Sequence, residues 1–295
     1  MINKIKFSMV LLLFVIVVAV LSGCGNSSSK DNEASSVLSP TSAATASSGG
    51  ASGDVVSGEP QDDVELTISA AASLTDALTE ISQSFEAQNP HIHLNFNFGA
   101  SGTLQQQIEQ GAPADLFLSA SAKNMQALLD KQLIDSLQEV NLLYNDLVVI
   151  TPADKAAGSV QTLDDLKKPD VKTVAIGIPE SVPAGNYAQE SLKAAGIWES
   201  LKAKTVQGKD VRQVLQYVET GNADAGFVYK TDALTSEQVK VAFSVDPSLY
   251  KQIEYPIGIV KATKHSQEAE AFYQYLQTKD ALDVFVKYGF TIPQN

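Results

Sequence analysis

Cysteine, basic charge and the sequence motifs of catalysis are all scarce in this chain of 295 residues. The single cysteine, Cys24, excludes a disulfide framework, so the fold must rest on its apolar core. Lysine and arginine number 21 against 34 aspartates and glutamates, which gives a formal net charge of −13. That balance argues against nucleic-acid binding, where Lys and Arg on phosphates carry the affinity. It also argues against an anion site built from a broad basic patch.

The chain contains no P-loop, no GxGxxG after a strand, no GxSxG and no HExxH. His91 and His93 share one side of a predicted strand, but no third metal ligand accompanies them, so a solvated strand face is the simpler interpretation. His265 stands alone near a predicted helix start, where capping or exposure accounts for it. An exported enzyme acting on a phospho- or sulfo-compound would need a nucleophile with an adjacent base, or a metal cage. We therefore expect no catalytic residue, no cofactor and no direct protein ligand to a metal.

The N-terminus has the pattern of an exported lipoprotein. Lys4 and Lys6 precede an apolar run at 7–21, about fifteen residues long where a membrane span needs about twenty. Small residues then precede Cys24 in Leu-Ser-Gly-Cys, which resembles a lipobox. We predict a signal peptide at 1–23 and a lipidated Cys24 that anchors the protein on the outer face of the cytoplasmic membrane. The alternative is an N-terminal anchor helix with an incidental cysteine.

Residues 24–63 are rich in Ser, Ala, Gly and Thr and almost without large apolar side chains. Such a segment cannot bury enough surface to offset its ordering entropy, so we predict a flexible tether. Loss of the signal peptide removes Lys4 and Lys6 and no acid, which moves the formal charge from −13 to −15. The remaining 232 residues, 64–295, are enough for one large or two ordinary domains.

Strand and helix patterns alternate along residues 64–295. VELTISA at 64–70 and IHLNFNF at 92–98 alternate apolar and polar residues, as half-buried strands do. DLVVIT and TVAIGI are continuous apolar runs of the buried, parallel type. Helical periodicity follows most of these strands, for example at 210–219. The alternation predicts α/β domains with mainly parallel sheets.

Four strand-to-helix junctions combine small residues with hydroxyl groups, and they lie at 70–73, 99–103, 179–185 and 208–211. Open α/β sheets bind ligands at the carboxyl ends of their strands. Helix N-termini there offer unpaired N–H donors and the positive end of the helix dipole, which suits anions. Each junction alone is an ordinary N-cap or turn. Together, in an acidic exported protein, they favour an anion site made from neutral dipoles.

At these junctions the chain resembles the molybdate-binding proteins of bacterial molybdate ABC transporters. The motifs are AAASLTDAL, TLQQQIEQGAPADLFLSA, PESVPAGNYA, DVRQVL, GFVYKTDA, EYPIGIV and YGFTIP, and in order they span nearly all of 64–295. The resemblance implies a type II periplasmic-binding fold, in which two α/β lobes with mainly parallel sheets are joined by a two-stranded hinge. We predict lobe 1 at 64–143 plus 257–295 and lobe 2 at 144–256, with crossings near Asp146 and Tyr255.

The resemblance also implies the ligand and its contacts. It places Ser73 and Ser101 as hydroxyl and backbone donors from lobe 1. From lobe 2 it places Ala184 and Val211 as backbone N–H donors and Tyr229 as a phenolic donor. Where relatives often carry a run of serines, this chain has Gly102, which keeps its N–H but lacks a hydroxyl.

The expected function is capture of molybdate or tungstate between the lobes and delivery to an ABC permease, by a monomer and without catalysis. Binding of another tetrahedral oxyanion such as sulfate is the alternative, because the fold and the dipoles would be the same. A structural or adhesive surface lipoprotein is a third possibility, but it would not need four such junctions.

Overall fold

A computed structural model describes residues 62–155 and 159–293 of the chain. The predicted signal peptide, Cys24 and nearly all of the predicted tether lie outside these residues. Within the described part, no helix is long and apolar enough to cross a membrane.

The described residues form ten strands and nine α-helices, joined by short 3-10 turns. The strands are β1 (Val64–Ala71), β2 (Ile92–Gly99), β3 (Leu116–Leu118), β4 (Ile134–Asn145), β5 (Leu147–Pro152), β6 (Val174–Gly177), β7 (Thr205–Gly208), β8 (Ala225–Tyr229), β9 (Val239–Ser244) and β10 (Ile253–Val260). The helices are α1 (Thr75–Gln88), α2 (Ser101–Glu109), α3 (Ala122–Asp130), α4 (Pro183–Ala194), α5 (Trp198–Leu201), α6 (Val211–Glu219), α7 (Lys230–Ala233), α8 (Ser266–Tyr275) and α9 (Lys279–Lys287).

The strands build two five-stranded sheets, each covered by helices. The first has the order β2-β1-β3-β10-β4, and the second has the order β7-β6-β8-β5-β9. We call each sheet with its own helices the first and the second lobe. The prediction of two α/β lobes is confirmed by this arrangement.

Both sheets are mixed. Strand β1 pairs in parallel with β2 and β3, and β6 pairs in parallel with β7 and β8. Strand β10 is antiparallel to β3 and β4, and β5 is antiparallel to β8 and β9. Parallel neighbours need a crossover connection within one sheet. Strand β10 enters the first sheet from the other lobe, so it needs no such crossover and can pair antiparallel with its neighbours. Only half of the strand pairings in the two sheets are parallel, the type that the sequence predicts.

The chain passes between the sheets twice. Strand β4 ends in the first sheet at Asn145 and β5 begins in the second at Leu147; the return runs from β9, which ends at Ser244, to β10, which begins at Ile253. The strand order of the sheets assigns each strand to a lobe, but it does not assign the loops between the strands to either lobe. The lobe limits given above therefore stay a prediction.

Helix α6 shows how burial positions the site. Its Val214 and Val218 are fully buried, and Val211 and Leu215 are nearly so, on the face that packs against β8 and β6. Burying each such side chain stabilises the fold by about 1.5–3 kcal/mol. This packing fixes the start of α6 next to the end of β8, where Tyr229 lies.

Candidate ligand-binding site

A cavity lies where the carboxyl ends of β1, β2, β3 and β8 meet the starts of three helices. The space at this position is about 200 Å³, and part of it is open to solvent. In the part of the chain that the structure describes, no charged side chain lines this cavity. The lining residues are Ala71, Ala72, Ser73, Gly99, Ala100, Ser101, Ala120, Val182, Pro183, Ala184, Val211 and Tyr229.

All five residues predicted to contact the ligand line this one cavity. Ser73 and Ser101 come from the first lobe, and Ala184, Val211 and Tyr229 come from the second. Each is at most 4% exposed. The structure thus brings together residues that are up to 156 positions apart in the sequence. Their roles as ligand contacts remain a prediction.

Three helix N-termini supply backbone donors to the cavity. Ser101 is the first residue of α2, Val211 is the first of α6, and Ala184 follows Pro183 at the start of α4. The residues that precede α2 and α4 make no side-chain cap. Among the described residues, no acceptor takes the N–H of Ser101, Ala184 or Val211. These groups, and the helix dipoles behind them, are available to an anion.

The position of α4 depends on a close backbone contact. A Cβ atom on Gly185 would overlap the carbonyl of Gly177 at the end of β6. Only glycine allows the first turn of α4 to lie directly against that strand. The contact places the N–H of Ala184 in the cavity wall, since Ala184 precedes Gly185 and is completely buried.

The two serines of the first lobe are both held by other groups. The Ser101 hydroxyl oxygen accepts a hydrogen bond from the N–H of Ala120 at 2.9 Å. The Ser73 hydroxyl lies 2.9 Å from the phenol of Tyr255 on β10. Tyr255 in turn lies 3.2 Å from the side-chain nitrogen of Asn145. The contacts of Tyr255 with Ser73 and of Ala120 with Ser101, and the contact of Asn145 with Tyr255, were not indicated by any sequence pattern.

Tyr229 presents a phenol without a partner. Its hydroxyl oxygen is buried, and no hydrogen-bond partner lies within reach among the described residues. Burial raises the pKa of Tyr229 well above its usual range, and the neighbouring Tyr255 adds to the effect. The phenol therefore keeps its proton at physiological pH. A buried O–H without an acceptor is costly unless a ligand pairs with it.

Charged residues meet at the rim of the cavity rather than inside it. Arg212 places Nη2 2.6 Å from Oδ2 of Asp76 on α1 of the first lobe. Its Nε lies 2.8 Å from Oδ1 of Asp232 on α7, although the N–H is not aimed straight at the oxygen. Burial raises the pKa of Asp232 to about 6, against the opposing effect of Arg212. Arg212 thus connects the two lobes beside the cavity.

Gly102 connects the lobes by its backbone. Its N–H donates to the carbonyl of Ser181 at 3.0 Å, from α2 to the loop before α4. A Cβ atom at this position would lie 2.6 Å from the same carbonyl oxygen. The N–H of Gly102 is thus used between the lobes, and its lack of a side chain allows the lobes to approach each other.

The histidines of the first lobe take no part in this site. His93 is exposed on β2 and His91 is half-buried just before that strand. Within residues 62–155 and 159–293, no three His, Cys, Asp or Glu side chains are grouped to hold a metal ion.

Two α/β lobes that close over a cavity lined by neutral donors define the class of a solute-binding protein. The chain belongs to the family of bacterial extracellular solute-binding proteins, whose model matches residues 66–291. The protein therefore works outside the cytoplasm, and it is a binding protein rather than an enzyme.

Named relatives narrow the class. The chain is 48% identical over 244 residues to a Bacillus subtilis protein provisionally named as the ABC transporter substrate-binding lipoprotein YvgL, covering 82% of this chain and 92% of that one. It is 40% identical over 232 residues to the molybdate-binding protein ModA of Haemophilus influenzae, covering 77% and 90%. A solved structure, described as the substrate-binding domain of a provisionally assigned molybdenum ABC transporter from Clostridium difficile, matches with a TM-score of 0.61 and 42% identity, covering 78% and 99%.

Proposed function

We propose that this protein is the substrate-binding component of an ABC importer and that it captures molybdate between its two lobes. The observation that carries the proposal is the convergence of Ser73, Ser101, Ala184, Val211 and Tyr229 on one uncharged cavity. The identity of the ligand is inferred from the names of the Haemophilus influenzae and Clostridium difficile relatives.

The cavity suits a fully ionised tetrahedral anion. Among the described residues, no acceptor pairs with the backbone N–H groups at the starts of α2, α4 and α6 or with the phenol of Tyr229. The lone pairs on the four oxygens of such an anion would accept hydrogen bonds from these groups. None of the described residues that line the wall carries a carboxylate or an imidazole that could accept a proton from the ligand. Because donors come from both lobes, the anion makes all its contacts only in the closed state, and binding stabilises closure.

Selectivity is the test of this proposal. Molybdate and tungstate are fully ionised and alike in size, so we expect similar affinities. Sulfate also lacks a proton but is smaller, and lobes closed to one spacing would leave it with long, weak hydrogen bonds. Hydrogen phosphate would bring an O–H into a wall of donors, at a cost of about 1–3 kcal/mol for the unpaired group.

Titration calorimetry of residues 24–295 with the four anions measures this order. We expect tight binding of molybdate and tungstate, far weaker binding of sulfate, and no detectable binding of phosphate. Sulfate binding as tight as molybdate binding would shift the assignment to a sulfate carrier. Tight phosphate binding would contradict a site composed of donors.

The anchor forms the second part of the proposal. Signal-peptide cleavage before Cys24 and lipidation of that residue would hold the protein on the outer face of the membrane, with 25–63 as a tether that lets the lobes reach a permease. Cys24→Ala should release the protein or leave the precursor uncleaved, without changing the folded lobes. Palmitate incorporation that persists in this variant would rule out the anchor.

A further inference from the structure

A short chain of buried polar groups leads from the crossing between the lobes to Ser73. It runs from the side chain of Asn145, at the end of β4, through the phenol of Tyr255 on β10 to the hydroxyl of Ser73. All three side chains are at most 8% exposed. Neither Asn145 nor Tyr255 lines the cavity, so neither contacts a ligand there.

The orientation of Asn145 sets the direction of the first hydrogen bond. Its side-chain oxygen accepts from the N–H of Asp146 at 2.9 Å, so its nitrogen must face the other way. That nitrogen lies 2.9 Å from the hydroxyl of Thr231 and 3.2 Å from the phenol oxygen of Tyr255. An amide nitrogen donates two protons and accepts none. Tyr255 therefore accepts a hydrogen bond from Asn145.

The phenol of Tyr255 then needs an acceptor for its own proton. Among the described residues, the Ser73 hydroxyl oxygen, at 2.9 Å, is the remaining partner of Tyr255 within hydrogen-bonding distance. A buried O–H group in a folded protein almost always finds an acceptor. Tyr255 therefore donates and Ser73 accepts. The Ser73 proton has no acceptor among the described residues, and this side chain lines the cavity.

We propose that Asn145 and Tyr255 are positioning residues that fix the direction of this chain, so that Ser73 meets the bound oxyanion as a donor. The inference rests on the proposed function of oxyanion capture. A serine hydroxyl can donate or accept. The discrimination against protonated anions thus depends on Asn145, which lies two hydrogen bonds away from Ser73 and three from the ligand.

The substitution Asn145→Asp reverses the chain with almost no change of shape. A carboxylate at this position accepts from Tyr255, so the phenol can no longer donate to Ser73. The Ser73 proton then turns to the phenol oxygen of Tyr255, and a lone pair of Ser73 faces the cavity. That lone pair would accept the proton of a protonated anion.

Selenate and hydrogen arsenate isolate this effect, because at mildly alkaline pH both are dianions of similar size and only arsenate carries a proton. Their affinities are measured by competition against molybdate on the purified full chain. In the wild type we expect selenate to compete much better than arsenate. In Asn145→Asp the ratio of the two affinities should narrow by about ten-fold or more, the effect of pairing one buried donor. The added negative charge weakens both dianions alike and cancels in the ratio.

Two matched variants separate the effect of the reversed hydrogen bonds from the effect of the negative charge that Asn145→Asp adds. Tyr255→Phe removes the group that orients Ser73, so the serine hydroxyl can turn either its proton or a lone pair to the cavity, and the affinity ratio should narrow less than in Asn145→Asp. In the double variant, Asn145→Asp with Tyr255→Phe, the charge is present but the reversal is not, and the ratio should match that of Tyr255→Phe. A folded Asn145→Asp protein with an unchanged ratio overturns the inference, and so does a double variant whose ratio is as narrow as that of Asn145→Asp.

Neutron diffraction on deuterated wild-type crystals tests the direction without any substitution. We expect the deuterium between Ser73 and Tyr255 to lie on the phenol oxygen, and a deuterium on the serine oxygen would overturn the inference. Failure of the wild type to bind any of these oxyanions would instead refute the proposed function, while the neutron result would still decide the direction.

Discussion

The two walls of the cavity present donors of different kinds. The first lobe contributes the hydroxyls of Ser73 and Ser101, and each is oriented by a neighbour, the phenol of Tyr255 or the N–H of Ala120. The second lobe contributes mainly backbone N–H groups, at Ala184 and Val211, whose side chains carry no polar atom. Side-chain chemistry therefore defines the first wall, and helix placement defines the second.

This difference determines how each wall can be tested. Truncating a side chain removes a donor from the first wall. In the second wall the same change at Ala184 or Val211 leaves the N–H in place, so these donors are lost only when the backbone itself changes; Tyr229 is the side-chain donor of that wall. Variants of both kinds therefore test this contrast between the walls.

The largest loss of molybdate affinity should come from a substitution that prevents the two walls of the cavity from approaching each other. In Gly102→Val the new side chain would meet the carbonyl of Ser181, which a Cβ atom alone would approach to 2.6 Å. The lobes could not reach their closed spacing, so every donor of the second wall would be weakened at once. We expect molybdate affinity to fall by about a hundred-fold or more, with a smaller loss in Gly102→Ala.

Thr103→Val is the control for this variant. It adds the same side chain one residue along α2, at an exposed position. Calorimetry on both proteins should show near wild-type affinity for the control. A Gly102→Val protein that binds as tightly as the control would mean that closure tolerates a wider spacing.

Loss of a hydroxyl from either wall should have the next largest effect. Ser73→Ala and Tyr229→Phe each delete one donor to a charged ligand, which costs about 1.5–3 kcal/mol or about ten- to a hundred-fold in affinity. Val211→Ala keeps its N–H and should lose much less. Equal losses in all three variants would contradict the division of the walls into side-chain and backbone donors.

A proline tests a backbone donor of the second wall directly. Val211 is the first residue of α6, a position that accepts proline, and Asp210 before it is extended as proline requires. Val211→Pro therefore removes the N–H without breaking the helix. We expect an affinity loss of about ten-fold, against little loss in Val211→Ala. Circular dichroism would check that α6 is retained, and equal affinities for the two variants would remove Val211 from the site.

The second wall was predictable from the sequence because its signals are local. A strand, a turn of small residues and a helix start lie within a few positions of each other at 179–185 and 208–211, and the packing of α4 and α6 follows from their apolar faces. The same holds for the helix starts at Ser73 and Ser101. The resemblance then selected individual residues at these junctions.

The groups that orient the first wall were not predictable. Ser73 and Tyr255 are 182 residues apart, and nothing in the apolar run EYPIGIV indicates which side chain reaches the cavity. Strand β4 was missed because IDSLQEVNLLYN does not alternate cleanly, which fits its register shifts against β10. The contact between Gly102 and Ser181 depends on how closely the lobes approach, which no local pattern encodes.

The smallest effect should come from the charges that join the walls at the rim. Arg212 pairs with Asp76 across the lobes, and the side chain of Asp76 is 40% exposed. Pairs at such exposure contribute up to about 1 kcal/mol, so Asp76→Asn should weaken molybdate binding by about two- to five-fold. Glu80→Gln is the matched control, because Glu80 lies on the same helix but pairs with Lys287 of its own lobe.

The dependence of molybdate affinity on salt concentration tests whether the ion pair of Arg212 and Asp76 at the rim contributes to binding. Ions screen the exposed pair of Arg212 and Asp76, so the difference between wild type and Asp76→Asn should shrink as ionic strength rises. The pair of Arg212 with the buried Asp232 lies within one lobe and is present in both proteins, so it does not contribute to that difference. Calorimetry at low and high salt measures this change directly. If Glu80→Gln lost as much affinity as Asp76→Asn at low salt, net charge rather than contact between the lobes would be the cause.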